Sequence, residues 1–197
     1  PYAPRGEEEA AKLVSVARKD MGRLDAFVHL SPGPMLSGWM HSYEVIDAAL
    51  RTSQLDLMLA VTHIGAWMVE QGHGSILFVT DYAALVGSDV ENCGDDPVGQ
   101  AQDFALDYGF VKSSYVNYAR QAAGYLGTGN ARCNAIACGP LEGDRPESFE
   151  EKFVRHAQLK RLAREEDSQA PALFLASEAA SHITGVTLAV DGGYPAK

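Results

Sequence analysis

The chain predicts an α/β fold built on a parallel sheet. Short apolar runs at Asp25 to Leu30 (DAFVHL), Ser75 to Thr80 (SILFVT), Arg132 to Ala137 (RCNAIA) and Val186 to Val190 alternate with longer stretches of helical periodicity. Glycine closes the main helical stretches, at Gly22, Gly72 and the cluster Gly124-Tyr125-Leu126-Gly127-Thr128-Gly129. Helices that lead from one strand to the next imply right-handed crossovers and strands running the same way.

Glu7, Glu8 and Glu9 suit the first turn of a helix. Ala10 to Lys19 continues it, with Ala10, Leu13, Val14 and Ala17 on one stripe. DAFVHL reads as a buried strand, stopped by the turn residues Ser31 to Pro34. Ser42 to Gln71 is helical, with a break near Arg51 to Ser53. SILFVT is the next strand. Leu85 to Gln102 is polar and rich in Gly and Asp, hence a long loop. Its DVENCGDD block lacks the regular ligand spacing of a calcium loop. Phe104 to Gly127 is the central helix and Arg132 to Ala137 a strand. Leu141 to Pro146 is a loop. Ser148 is placed to cap a short helix, and Asp167 to cap another with Pro171 in its first turn or two. Asp191-Gly192-Gly193 turns the chain after the last strand. No internal repeat, low-complexity tract or linker interrupts residues 1–197, so a single domain is expected.

A net charge of −10 argues against nucleic acid as a partner. Cys93, Cys133 and Cys138 are an odd count without C-x-x-C spacing, which fits a reducing, cytoplasmic compartment and no metal site. The longest apolar run, Leu57 to Val69, is too short to span a bilayer.

Tyr108 and Lys112 lie four apart, so a helix puts them on one face. An ammonium beside a phenol favours the phenolate and lowers its pKa, which suits proton transfer near neutral pH. GRLDAFVHLSPG, GHGSILFVTDYAA, YGFVK, ARCNAIACGP and the segment from Leu159 to Gly193 follow one another at spacings that resemble the short-chain dehydrogenase/reductase family over nearly the whole chain. That resemblance implies a Rossmann-like, doubly wound parallel sheet. The N-terminal cofactor-binding units are missing or shortened, because no strand, Gly-rich turn and helix precede Gly22.

The resemblance also implies where the family's chemistry falls. The carbonyl-polarising Ser corresponds to Asp81, which when ionised cannot donate a hydrogen bond and raises the pKa of Tyr108. Thr80, one position earlier, points to the opposite face of its strand. Asp81 reads equally as a solvated residue at a strand end. The family's helix Asn falls near Ser53. The cofactor-binding positions are degenerate at Leu30, Ser31-Pro32, Cys138 and about Gly143, with Gly139 kept. Tyr108 and Lys112 are either a working proton relay or an inherited helix pair with Lys112 solvated. The losses favour the second. His29, His63 and His182 read as structural histidines, and Cys138 as a small core residue rather than a nucleophile.

Leu55 to Gln71 and Phe104 to Gly127 are apolar nearly all round, and the sheet can cover only one face of each. In the family these helices typically form the dimer. The expected function is therefore a catalytically degenerate companion, a pseudoenzyme subunit. It would bind no cofactor itself and pair as a hetero-oligomer, a tetramer, with a homologous active NAD- or NADP-dependent alcohol dehydrogenase of the hydroxyacyl-CoA type, as in hydroxybenzylsuccinyl-CoA dehydrogenases. The alternative is an active NAD(P)-dependent alcohol dehydrogenase or ketoreductase, self-associating and using Tyr108 and Lys112, with its cofactor segment outside the numbered chain.

Overall fold

A computed structural model describes residues 6–30, 36–93, 104–143 and 145–196. Helix α1 (Glu7–Met21) carries its three acids in the first turn and Arg18 and Lys19 in the last, matching the helix dipole, and ends at Gly22 with φ 71°. Strand β1 (Ala26–Leu30) follows. Helices α2 (Tyr43–Leu50) and α3 (Asp56–Gln71) are joined without a gap by a π-helical turn, Arg51–Leu55, where the sequence indicates a break. Then come β2 (Gly74–Asp81), α4 (Tyr108–Leu126), β3 (Ala131–Cys138), α5 (Glu147–His156), α6 (Glu165–Ala176) and β4 (Thr187–Val190).

The strands lie in the order β1-β2-β3-β4 and every pairing is parallel. The register sets Asp81 beside Cys138 and Cys138 beside Val190, so the C-terminal ends of three strands finish level. On one face, Phe78, Cys133 and Ala135 pack against Leu57, Ile64, Trp67, Val111, Tyr115 and Ala119 of α3 and α4. On the other, Leu77 and Ile136 pack against Leu175 of α6 and Ala180. A sheet covered on both faces needs continuous apolar strands, which is why β3 is buried over its first seven residues. Full burial of Phe78 or Ile136 stabilises by about 1.5–3 kcal/mol each. At the far ends of α3 and α4 the chain crosses so closely that a Cβ on Gly129 would lie 2.4 Å from the Val69 Cα. Only glycine fits there.

Several sequence expectations are corrected. β1 is not a buried strand: it lies at the sheet edge, Phe27 and His29 face the core, and Val28 and Leu30 are exposed. Helix α4 starts at Tyr108, not Phe104, because the Asp107 carboxylate accepts the Leu36 N–H (3.0 Å) and Ala105 bridges Gly38. Ser148 does not cap α5; it lies inside the helix, after Pro146 at the cap position. Asp167 does cap α6, but from the third helical residue, accepting the Arg164 N–H at 2.8 Å. Nor are α3 and α4 open all round: α1 packs on α3, with the Arg18 guanidinium over the Trp67 ring, and Tyr115 is buried. Leu55, Met58, Phe110 and Tyr125 remain exposed. The expectations at Ser31, Pro32, Pro34 and residues 94–102 lie outside the described residues. Among the described residues no helix is long and apolar enough to cross a membrane.

Candidate active site

The site forms where β2 ends against the first turns of α4. Thr80 donates from Oγ1 to the Lys112 carbonyl at 3.0 Å, which ties the strand end to the helix. The next residue, Asp81, accepts the Ala83 N–H on Oδ1 at 2.8 Å. Its Oδ2 accepts the Tyr108 O–H and lies 3.8 Å from Lys112 Nζ. Lys112 Nζ sits 5.4 Å from the centre of the Tyr108 ring. The Lys112 and Asp81 side chains are only 13% and 16% exposed. Neither a solvated Asp81 nor a solvated Lys112 therefore describes the molecule. The structure joins them to Tyr108 in one buried cluster.

Burial is the main cause that raises the Asp81 pKa, opposed by the Tyr108 hydrogen bond and the Lys112 charge. Tyr108 is pushed upward, first by burial and then by Asp81. This reverses the expectation that Lys112 would lower it and agrees with the direction expected from Asp81, with burial as the larger cause. Burial lowers the Lys112 pKa, against the pull of Asp81. Burial thus shifts each of the three groups toward its neutral form. With Asp81 ionised, the Tyr108 proton is held by the carboxylate. With Asp81 neutral, the carboxyl becomes a hydrogen-bond donor, as a serine hydroxyl would be, and Lys112 is left as the charge beside the phenol.

A cavity of about 420 Å³ opens beside the cluster, lined by Asp81, Tyr108, Lys112, Cys138, Gly139, Asn92 and Arg145 among others. Of the residues singled out in the sequence, Tyr108, Lys112, Asp81, Cys138 and Gly139 meet there. Ser53 does not line it. Ser53 sits in the π-helical turn, donates to the Ala49 carbonyl at 2.8 Å, and accepts the Tyr115 O–H on its own carbonyl at 3.1 Å. Leu30, 64% exposed at the end of β1, is also outside the lining. The Cys138 thiol is pushed up to about 11 by burial, Asp81 and Asp191, so it is no nucleophile at neutral pH. His29, pressed between Phe78 and Tyr115, is held down at about 4 by burial and by Lys112 and is neutral. Sequence reading missed Asn92 and Arg145. Arg145 carried a weak signal, a single base in the loop after a strand; Asn92 carried none.

A parallel α/β sheet with its cavity outside the carboxyl ends of the strands belongs to the doubly wound class, which binds ligands at that place. A family model described as Enoyl-(Acyl carrier protein) reductase matches residues 5–195. Cis-4-hydroxycyclohexanecarboxylate dehydrogenase from Sinomonas cyclohexanicum is 31% identical, over 96% of this chain and 73% of that protein. The 7alpha-hydroxysteroid dehydrogenase of Escherichia coli K12 is 29% identical, over 95% and 70%. A short chain dehydrogenase from Leptospira borgpetersenii with bound NAD+ superposes with TM-score 0.82 at 17% identity, over 96% of this chain and 72% of that one. The chain belongs to the short-chain dehydrogenase/reductase family.

Proposed function

We propose that this chain is the catalytic part of an active NAD(P)-dependent short-chain dehydrogenase that interconverts a small secondary alcohol and its ketone. The observation that carries this reading is the convergence of Tyr108, Lys112 and Asp81 on one cavity at the strand ends. The named relatives are dehydrogenases, which favours this reading over the companion-subunit expectation.

The residues present fit one end of a dinucleotide. Lys112, Gly139 and Pro140 line the cavity next to Tyr108 and would hold a nicotinamide-ribose there. When bound, the nicotinamide supplies the hydride acceptor in oxidation and the donor in reduction. No strand, Gly-rich turn and helix in sequence lie among the described residues, so the remainder of the cofactor is assigned to a segment outside the numbered chain. The outer edge of β1 and the exposed Val28 and Leu30 would accommodate a further strand. In oxidation the Tyr108 phenolate, stabilised by Lys112, takes the hydroxyl proton of the alcohol and becomes the phenol; in reduction the phenol gives that proton to the alkoxide and the phenolate forms again. Asp81 in its neutral form donates a hydrogen bond to the substrate oxygen. Exposed Met58 on α3, Phe110 and Tyr125 on α4, and Leu55 at the end of the π-helical turn give apolar surface for a second copy or a homologous subunit.

The upward push on Tyr108 is the observation that favours the companion reading. Turnover by the full-length protein with NAD+ or NADP+ and a panel of secondary alcohols separates the two. Tyr108→Phe is expected to cost on the order of 10²–10⁴ in kcat with cofactor binding retained. Equal turnover by this variant, alone or in any assembled complex, would restore the companion subunit.

A further inference from the structure

The cavity lining carries two groups that the proton-transfer cluster does not use. Asn92 is 3% exposed; its Nδ2 donates to the Tyr194 hydroxyl at 2.9 Å, while its Oδ1 is buried without a hydrogen-bond partner. Tyr194, which accepts from that amide, itself stacks on Phe153 and packs edge-on against Tyr82. A buried acceptor left unpaired costs free energy unless a ligand supplies the donor. Arg145 lines the same cavity, with its guanidinium 5.7 Å from the Phe149 ring centre and no carboxylate partner among the described residues. Asp81, Tyr108 and Lys112 line that cavity together with Arg145, so its charge and the proton-transfer cluster share one space. A chain with a net charge of −10 repels anions at long range, and two cations sharing one cavity are a local exception to that field.

Resting on the dehydrogenase reading above, we propose that the substrate is a polyhydroxylated carboxylic acid. Its carboxylate lies on the Arg145 guanidinium, a second hydroxyl donates to Asn92 Oδ1, and the reacting hydroxyl meets Tyr108. Arg145 and Asn92 are then specificity-determining residues that take no part in proton transfer.

Equilibrium binding to the full-length protein tests this without requiring turnover. The probes are 3,4-dihydroxycyclohexanecarboxylate, its methyl ester and 4-hydroxycyclohexanecarboxylate, each titrated calorimetrically in the presence of cofactor. Arg145 is solvent-exposed, so the acid is expected to bind only about fivefold tighter than the ester. The second hydroxyl is expected to add about fivefold to tenfold, because it satisfies a buried acceptor. Arg145→Gln should abolish the preference for acid over ester and leave the preference for the second hydroxyl intact. An ester that binds as tightly as the acid, or a second hydroxyl that adds nothing, overturns the proposal. Binding in the expected order without turnover supports the proposal and refutes the catalytic reading instead.

Discussion

Asp81→Asn removes one negative charge and almost no volume. The amide oxygen still accepts the Ala83 N–H, so the turn after β2 is expected to survive. Two electrostatic consequences follow. The ion pair with Lys112 at 3.8 Å is lost, a gross attraction of about 4 kcal/mol at an effective dielectric of 20. Relief from desolvating the carboxylate offsets much of it, so net stability at neutral pH should change by no more than about 1–2 kcal/mol. The second consequence concerns Tyr108, whose ionisation Asp81 opposes both as a charge and as the acceptor of its proton. With the charge gone, Tyr108 should titrate lower by on the order of one to three pH units. The assay is the pH dependence of tyrosinate absorbance, taken as the difference between each protein and its Tyr108→Phe counterpart. Identical titration of Tyr108 with Asp or Asn at position 81 would refute the electrostatic account. Stability supplies a second check. Asp81 has a raised pKa in the folded state, so its contribution is fully present below the unfolded carboxylate value and is lost as pH rises through the folded one. Wild type should therefore lose stability relative to the variant on going from acid to neutral pH.

Asn134, fully buried, joins β3 to the approach to β4 by donating to the Ile183 carbonyl at 2.9 Å and accepting the Val186 N–H at 3.1 Å. Asn134→Ala strands the Val186 N–H, while the Ile183 carbonyl keeps the hydrogen bond from the Arg132 guanidinium at 3.4 Å, and should cost about 1–3 kcal/mol in urea unfolding; a loss under about 0.5 kcal/mol would mean that the segment re-pairs. Asp167 is held down at about 2 by the hydrogen bond from Arg161 and by the Arg164 N–H. Its stabilising effect is present above the unfolded carboxylate value and is lost as pH falls through about 2. Asp167→Asn should accordingly lower Tm near neutral pH, with the difference closing in strong acid. A difference independent of pH would exclude the charge as its source.

The sequence by itself determined the order of helices and strands, because apolar period and glycine punctuation are local properties of the chain. It also pointed to Tyr108, Lys112 and Asp81, which rest on motif spacing, and to a break near Arg51 to Ser53, where the structure has the π-helical turn Arg51–Leu55. Tertiary structure decided what these residues experience. Whether Lys112 is solvated depends on the cavity wall around it, and the upward shift at Tyr108 comes first from its burial and then from Asp81 beside it. The same holds for β1. DAFVHL carries the apolar run of a buried strand, yet its place at the sheet edge leaves Val28 and Leu30 exposed. Asn92, at the end of the 3-10 turn Val90–Asn92, and Arg145, in the loop before α5, reach the cavity from places far apart in the chain, and no period or motif encodes that meeting. Burial and long-range Coulomb terms depend on distances between segments remote in sequence, so only the folded chain sets them.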